Sequence, residues 1–135
     1  ELKKLEKNCM DRKKLGSWGE QKAREYLESK GFVILEINYR CKLGEADIIA
    51  MDGDSLVFIE VKTRTSTTYG FPAESISSRK QKKYIQMASI YSKEKGIRGV
   101  SFRFDVVEIQ VKGQEKWDIN HIPNAFQSIG GRYYF

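Results

Sequence analysis

The sequence predicts a single α/β domain in which helices flank a central mixed sheet, in the order α-β-β-β-α-β-β. Two stretches with helical spacing of apolar residues, 17–30 and 78–95, each end at a glycine. The strand-like segments 44–50 and 56–62 are rich in β-branched residues and are apolar on both faces. A strand that is apolar on both sides is usually covered by helices on both sides. A chain of 135 residues is long enough for one such domain with a core.

The first elements follow from local signals. Ser17-Trp18-Gly19-Glu20 matches a capping box and predicts that the first helix begins there. Gly31 suits the position just after the helix end, and residues 32–39 form a strand pattern. The Lys-rich residues 1–14 are expected to form a basic arm or a frayed helix.

The next two strands are predicted to form a hairpin across the turn Asp52-Gly53-Asp54-Ser55. If the two ends of this turn pair, opposed residue numbers sum to 107, so that Asp47 faces Glu60. A two-residue turn at Asp52-Gly53 shifts the pairing but preserves its parity. Because side chains alternate along a strand, one face carries four charged residues in either register. They are Glu45, Asp47, Glu60 and Lys62.

The rest of the chain reads as a polar loop, a helix and two strands. The loop covers residues 63–73, the helix 78–95 with Gly96 after it, and the strands 100–111 and 116–122. The domain is therefore assigned to residues 15–127, with 1–14 as the N-terminal arm and 128–135 as a C-terminal tail.

The charged cluster has a chemical interpretation and a structural one. Carboxylates on adjacent strands are good ligands for Mg²⁺, or for Mn²⁺, and Asp47 and Glu60 are the candidate ligands. Lys62 could orient a metal-bound water or neutralise charge that develops on a phosphate. The structural alternative is a cross-strand ion pair between Glu45 and Lys62 at a sheet edge.

Three further residues are ambiguous in the same way. Glu20 completes the capping box, but it lies at helical spacing with the predicted core face of the helix and could reach the carboxylates. Lys80 lies on the apolar stripe of the second helix, where it either extends past Tyr84 to solvent or contacts phosphate. Arg64 follows Lys62 by two residues and is either a phosphate contact or a solvated loop residue.

The charge balance favours a polyanionic partner. The net charge is +6 and the isoelectric point about 9.3, which suits nucleic acid. No apolar run approaches the roughly 20 residues that a membrane span needs, and no signal peptide is recognisable. These features predict a cytoplasmic protein without a membrane partner.

The charged motifs resemble the PD-(D/E)XK nuclease superfamily, whose core pairs an Asp on one strand with (Glu/Asp)-x-Lys on the next. Asp47 and Glu60-Val61-Lys62 match these positions, although Ala46 replaces the Pro. The chain is most similar to the uncharacterised bacterial YraN-like family, itself similar to archaeal Holliday-junction resolvases. The resemblance covers about residues 13–127, and its motifs include Gly44-Glu45-Ala46-Asp47-Ile48-Ile49, Phe58-Ile59-Glu60-Val61-Lys62, Arg103-Phe104-Asp105-Val106-Val107 and His121-Ile122.

The resemblance implies a restriction-endonuclease-like α/β/α core with Glu20, Asp47, Glu60 and Lys62 as the active site. The expected function is a Mg²⁺-dependent endonuclease that acts on DNA rather than RNA, with branched DNA as a candidate substrate. Resolvase-like nucleases act as dimers, so the resemblance also implies a homodimer. The alternative is a module that binds nucleic acid, or assembles with a partner, without cutting.

Overall fold

The computed structural model describes residues 12–65, 77–113, 115–125 and 133–134, and it confirms the predicted order of elements. The two helices are α1 (Arg12–Ser29) and α2 (Ser78–Lys95). The strands are β1 (Val33–Cys41), β2 (Gly44–Asp52), β3 (Ser55–Arg64), β4 (Ser101–Gly113), β5 (Lys116–Ile122) and the two-residue β6 (Tyr133–Tyr134).

The strands form one mixed sheet in the order β1-β2-β3-β4-β5, and β6 pairs with the start of β4. β3 and β4 are parallel, and the other neighbours are antiparallel. The hairpin register runs from Asp52↔Ser55 to Ile48↔Ile59, so opposed residues sum to 107 as predicted. In this strand order, β3 is the middle strand of the described sheet.

The core has two parts, one on each face of the sheet. On one face, Trp18 and Leu27 of α1 pack with Ile48 and Ile59. On the other face, α2 packs its buried residues against Phe58 and the even-numbered positions of β4. The expected helix cover on both faces, and with it the α/β/α layering, is confirmed.

The predicted start of α1 is wrong. The helix begins at Arg12, and Ser17 lies inside it as an exposed residue. Leu15 packs against the core cluster of Trp18, so tertiary packing favours a helix that starts earlier than the capping motif alone would set. Three residues of the predicted arm, 12–14, thus belong to α1, and the remainder lies outside the described residues.

The end of α2 agrees with the sequence prediction. Gly96 adopts a left-handed conformation with φ +67°, and its N–H donates to the carbonyls of Lys93 and Ser92. The predicted loop 63–73 is shorter at its start, because β3 continues through Arg64. Its residues 66–73, like most of the predicted tail, lie outside the described residues. Neither described helix is both long enough and apolar enough to cross a membrane.

Gly19 is the point of closest approach between α1 and the sheet. A Cβ built on this residue would overlap Oγ1 of Thr63 on β3. A glycine is needed here because any side chain would push the helix and the strand apart. This contact brings the next residue, Glu20, towards the end of β3.

Candidate functional site

β2 separates from β3 at Asp47. The β2–β3 pairs end at Ile48↔Ile59, although β2 begins at Gly44 and β3 continues to Arg64. Ala46 packs with the α2 side of the sheet and Ile48 with the α1 side, so strict alternation does not continue through Asp47. The prediction that Glu45, Asp47, Glu60 and Lys62 share one face relied on regular alternation along β2. Because that alternation is broken at Asp47, it no longer places Glu45 and Asp47 on the face of Glu60. On β1, Asn38 lies opposite this point with φ +53°, a conformation that Asn tolerates better than most residues.

The carboxylate of Asp47 lies against the backbone of β3. Its Oδ2 accepts a hydrogen bond of 2.8 Å from the N–H of Val61. Because Val61 stands between Glu60 and Lys62, this bond holds Asp47 beside the Glu-x-Lys segment of the neighbouring strand. Because β2 is no longer paired with β3 at this level, the side chain of Asp47 can accept from the backbone N–H of Val61.

Glu60 has one satisfied and one unsatisfied carboxylate oxygen. Its Oε1 accepts from Nζ of Lys80 on α2 at 3.2 Å. Its Oε2 is buried and has no hydrogen-bond partner among the described residues. A buried carboxylate oxygen without a partner is costly, and a bound cation would satisfy it.

The carboxylates of this region act on one another electrostatically. Burial raises the pKa of Asp47 and outweighs the hydrogen bond from Val61, and the charges of Glu60 and Glu45 raise it further. Burial followed by the charges of Asp47 and Glu45 raises the pKa of Glu20 on α1. Burial followed by the charges of Glu60, Asp47 and Glu45 also raises the pKa of Tyr84 on α2. This gathering of negative charge is the kind of environment that a cation stabilises.

Lys80 extends past Tyr84 and also faces the carboxylates, while its contact with phosphate stays a prediction. Its Nζ contacts Glu60 and lies 5.9 Å from the ring centre of Tyr84. The side chain is 44% exposed, so the ammonium faces both the carboxylates and solvent. It is therefore placed to exchange one anionic partner for another.

The expected ion pair between Glu45 and Lys62 is not among the described ion pairs. Glu45 instead forms an exposed pair of 3.3 Å with Arg40 of β1, because β2 has left β3 at this level. Lys62 lies opposite Glu108 in the parallel register of β3 and β4. The structure thus brings together Glu20, Glu45, Asp47, Glu60 and Lys80, and it places Lys62 and Arg64 on the adjoining part of β3.

Glu108 is the neighbour of this site that the sequence analysis missed. It is buried on β4, where Nε of Arg64 lies 3.8 Å from its Oε2. Burial raises the pKa of Glu108, while the charges of Arg64 and Lys62 oppose that shift. The signal in the sequence was a single Glu within the apolar run of β4, but only the parallel register shows which cations it faces.

The donor set fits a hydrated cation better than a protein cage. No group of three or more His, Cys, Asp or Glu side chains within the described ranges is arranged to hold a metal ion. Mg²⁺ commonly takes only one or two carboxylates and completes its shell with water and phosphate oxygens. Asp47 and the unsatisfied Oε2 of Glu60 meet that requirement.

Comparisons with known proteins identify close relatives. A profile of the uncharacterised protein family UPF0102 matches residues 19–109. A UPF0102 protein of Caldicellulosiruptor saccharolyticus is 45% identical over 118 residues, which cover 87% of this chain and all of the relative. UPF0102 proteins of Alkaliphilus metalliredigens and Clostridioides difficile are 48% and 46% identical, over 84% and 87% of this chain and 98% and 100% of their own lengths.

Proposed function

This chain belongs to the uncharacterised protein family UPF0102, the YraN-like family, and we propose that it is a Mg²⁺-dependent endonuclease that hydrolyses phosphodiester bonds of DNA. Mn²⁺ is the expected substitute for Mg²⁺. DNA is favoured over RNA, and branched DNA is a candidate substrate, through the resemblance to resolvases.

One observation carries the proposal. The hydrogen bond from the N–H of Val61 holds the Asp47 carboxylate against the residue that lies between Glu60 and Lys62. The buried Oε2 of Glu60, which lacks a partner among the described residues, supplies a second carboxylate oxygen for a cation. Two carboxylates that can hold a cation and a lysine that can offset charge on a phosphate fit metal-assisted phosphodiester hydrolysis.

The residues take separate roles in this proposal. Asp47 and Glu60 hold the Mg²⁺, which when bound lowers the pKa of a water and stabilises charge on phosphate oxygens. Lys62 orients the attacking water or offsets the charge that develops on the phosphate. Glu20 supports the site from α1, and Glu45 is an accessory carboxylate.

Arg64 and Lys80 are the proposed contacts to the DNA backbone. Both are cations at the margin of the carboxylate group, and neither is fully buried. A phosphate that approaches Glu60 would offer Lys80 a second anionic partner and Arg64 an alternative to its 3.8 Å contact with Glu108. Phosphate contacts of this kind position a substrate without reading its sequence.

The second candidate is a module that binds nucleic acid, or assembles with a partner, without cutting. The ion pair of Lys80 with Glu60 favours it, because the lysine already neutralises one of the two proposed metal ligands. In that case Lys80 would take the place of the cation. Binding of nucleic acid would then be the same with and without Mg²⁺.

A cleavage panel separates the two candidates. Linear, flap and four-way DNA, with matched RNA, are incubated with the protein in Mg²⁺, Mn²⁺ or EDTA. The endonuclease predicts metal-dependent products that Asp47→Asn and Lys62→Met each reduce by about 10²-fold or more. Asp54→Asn, at the exposed turn between β2 and β3, is the matched control and should cut normally. Intact substrates in all conditions, with metal-independent binding, would favour the silent module.

A further inference from the structure

A cavity of about 400 Å³ adjoins the carboxylate group. It lies between the β1–β2 turn, which contributes Leu43, and the first turns of α2. Its volume falls within the range of about 300–1,000 Å³ that is typical of small-molecule sites. The cavity therefore has room for a group of the size of one nucleotide.

The lining of the cavity combines cationic and apolar residues. The cations are Arg79, Lys80 and Lys83, all on the exposed start of α2. The apolar residues are Leu43, Tyr84 and Met87. This combination suits a ligand that has both a flat ring and a negative charge.

Lys80 and Glu45 connect the cavity to the proposed metal site. Both residues line the cavity, and Lys80 at the same time contacts Glu60 at 3.2 Å. The negative charge of Glu45 also acts on Asp47. A nucleotide in the cavity would therefore lie next to the carboxylates that are proposed to bind the metal.

We propose that this cavity binds one unpaired nucleotide of a DNA strand, with its base against Leu43, Tyr84 and Met87 and its phosphate on Arg79 and Lys83. The inference rests on the proposed function and names the substrate class of that site. The protein would then act on DNA that carries an unpaired or displaced nucleotide next to the position of cleavage.

The restriction to unpaired nucleotides follows from the geometry of DNA. A base inside a duplex is stacked and paired, so it can enter a cavity only after it leaves the helix. The free energy of unstacking is lowest where the base is already unpaired, as at a bulge, flap or junction. Stacking of the base on apolar and aromatic side chains then offsets the free energy that is still needed to move the base into the cavity.

Binding in EDTA tests the inference without cleavage. Two labelled duplexes are compared, one fully matched and one with a single unpaired 2-aminopurine in its centre. The parent should bind the bulged duplex about tenfold more tightly, the scale that stacking of one base provides. The 2-aminopurine fluorescence should change on binding, because the base moves from one stacked environment into another.

Three variants locate the effect. Leu43→Trp fills the cavity, and Lys83→Glu reverses the charge at its rim on an exposed residue. Both variants should bind the bulged and the matched duplex with nearly equal affinity. Lys82→Glu makes the same charge change on the neighbouring exposed residue, which does not line the cavity, and should keep the ratio even if it weakens both duplexes equally. Thermal melts check that each variant is folded, and Lys83→Glu alone is decisive if Leu43→Trp fails to fold.

The outcomes separate this inference from the proposed function. Equal affinity for the two duplexes, or a preference that survives Lys83→Glu, would overturn the inference. Competition by free dAMP as effective as by the bulged duplex would also overturn it, because the cavity would then take a free nucleotide. Metal-dependent cutting of matched duplex without bulge preference would leave the nuclease in place and remove only the cavity assignment. Bulge preference without any cutting would support the cavity assignment and count against the nuclease.

Discussion

Asp105 is fully buried on β4, and its carboxylate receives hydrogen bonds from three residues. Arg103 donates twice, at 2.8 and 3.0 Å, and the ring of His121 on β5 lies at 2.7 Å. The backbone N–H of Asn124 donates at 3.0 Å. His121 in turn contacts the hydroxyl of Tyr26 at 3.2 Å, so this network connects α1, β4 and β5. The network therefore gives a structural reason for an Asp within an apolar strand.

Replacement of Asp105 should lower stability in a pH-dependent way. Burial alone would raise the pKa of Asp105, but the bonds from His121, Arg103 and Asn124 outweigh burial and hold the pKa below its ordinary value. The stability that this group contributes is therefore fully present above about pH 3.9 and is lost as the pH falls through the lower folded-state pKa. Asp105→Asn should reduce the free energy of unfolding at pH 7 by about 3–5 kcal/mol.

Urea denaturation between pH 3 and pH 7 measures this effect. The difference between parent and variant should shrink as the pH is lowered below about 4. Asp118→Asn, which breaks the exposed pair with Lys112, is the control and should cost less than about 1 kcal/mol. A loss of similar size in both variants would contradict the role of the network.

The proposed metal ligands make a second prediction at the residue scale. Mg²⁺ should raise the melting temperature of the parent by mass action, because it binds the folded state. Asp47→Asn combined with Glu60→Gln should abolish that increase while the protein still melts cooperatively. Calorimetry with and without Mg²⁺ measures the change, and an equal increase in parent and double variant would mean that the ion binds elsewhere.

At the scale of elements, the packing of α1 on β3 positions Glu20. The contact depends on Gly19, which leaves no side chain between the helix and Thr63. The pKa of Glu20 is raised by burial and by the charges of Asp47 and Glu45, in agreement with its position next to the carboxylates. Gly19, one position before Glu20 in α1, thus sets how close Glu20 comes to the carboxylates.

Two glycines of α1 should respond to alanine in opposite ways. Gly19→Ala should destabilise the protein by about 1–3 kcal/mol, because the new Cβ overlaps the side chain of Thr63. Gly16→Ala, where no atom lies within 4 Å of the added Cβ, should stabilise it by about 0.5–1 kcal/mol through helix propensity. Chemical denaturation of both variants provides the test, and a shift of the same sign in both would contradict the close approach at Gly19.

At the scale of the whole molecule, the net charge of +6 predicts salt-sensitive binding to DNA. The logarithm of the binding constant should fall linearly with the logarithm of the salt concentration, with a slope of about −0.9 for each phosphate contact on duplex DNA. Arg64→Ala should reduce the magnitude of that slope by about one contact and weaken binding to all sequences alike. Arg24→Ala, an equal charge change on the exposed side of α1, is the control. Salt-insensitive binding, or none at low salt, would exclude a nucleic-acid role.

The symmetry of the expected substrate predicts a dimer. Two cuts across a junction need two sites related by symmetry, and β5 provides an end strand of the described sheet with Trp117 37% exposed. Light scattering at low micromolar concentration, with and without a four-way junction, measures the mass. A protein that remains monomeric in both conditions would leave only single-site nicking or binding without cutting.

Local sequence signals were enough to predict the order of the elements and the register of the hairpin. The helix ends at Gly31 and Gly96 and the pairing across Asp52–Ser55 depend on residues close together in the chain. The same local pairing predicted the neighbours of Asp47 and Glu60, since the observed pairs extend to Ile48↔Ile59, but it did not predict the contact that Asp47 makes beyond them. Local interactions suffice for such features because each partner is at most a few residues from the turn or cap that fixes it.

The way these parts meet depends on contacts between elements that local signals do not contain. The true start of α1 depends on packing against the sheet, and the contact of Arg64 with Glu108 depends on the parallel register of β3 and β4. Asp47 reaches Val61 because β2 leaves β3, an irregularity that no alternating pattern shows. Each of these outcomes joins residues that are distant in the chain or breaks a regular pattern, so the free energy that selects it comes from packing and hydrogen bonds between elements rather than from local preference.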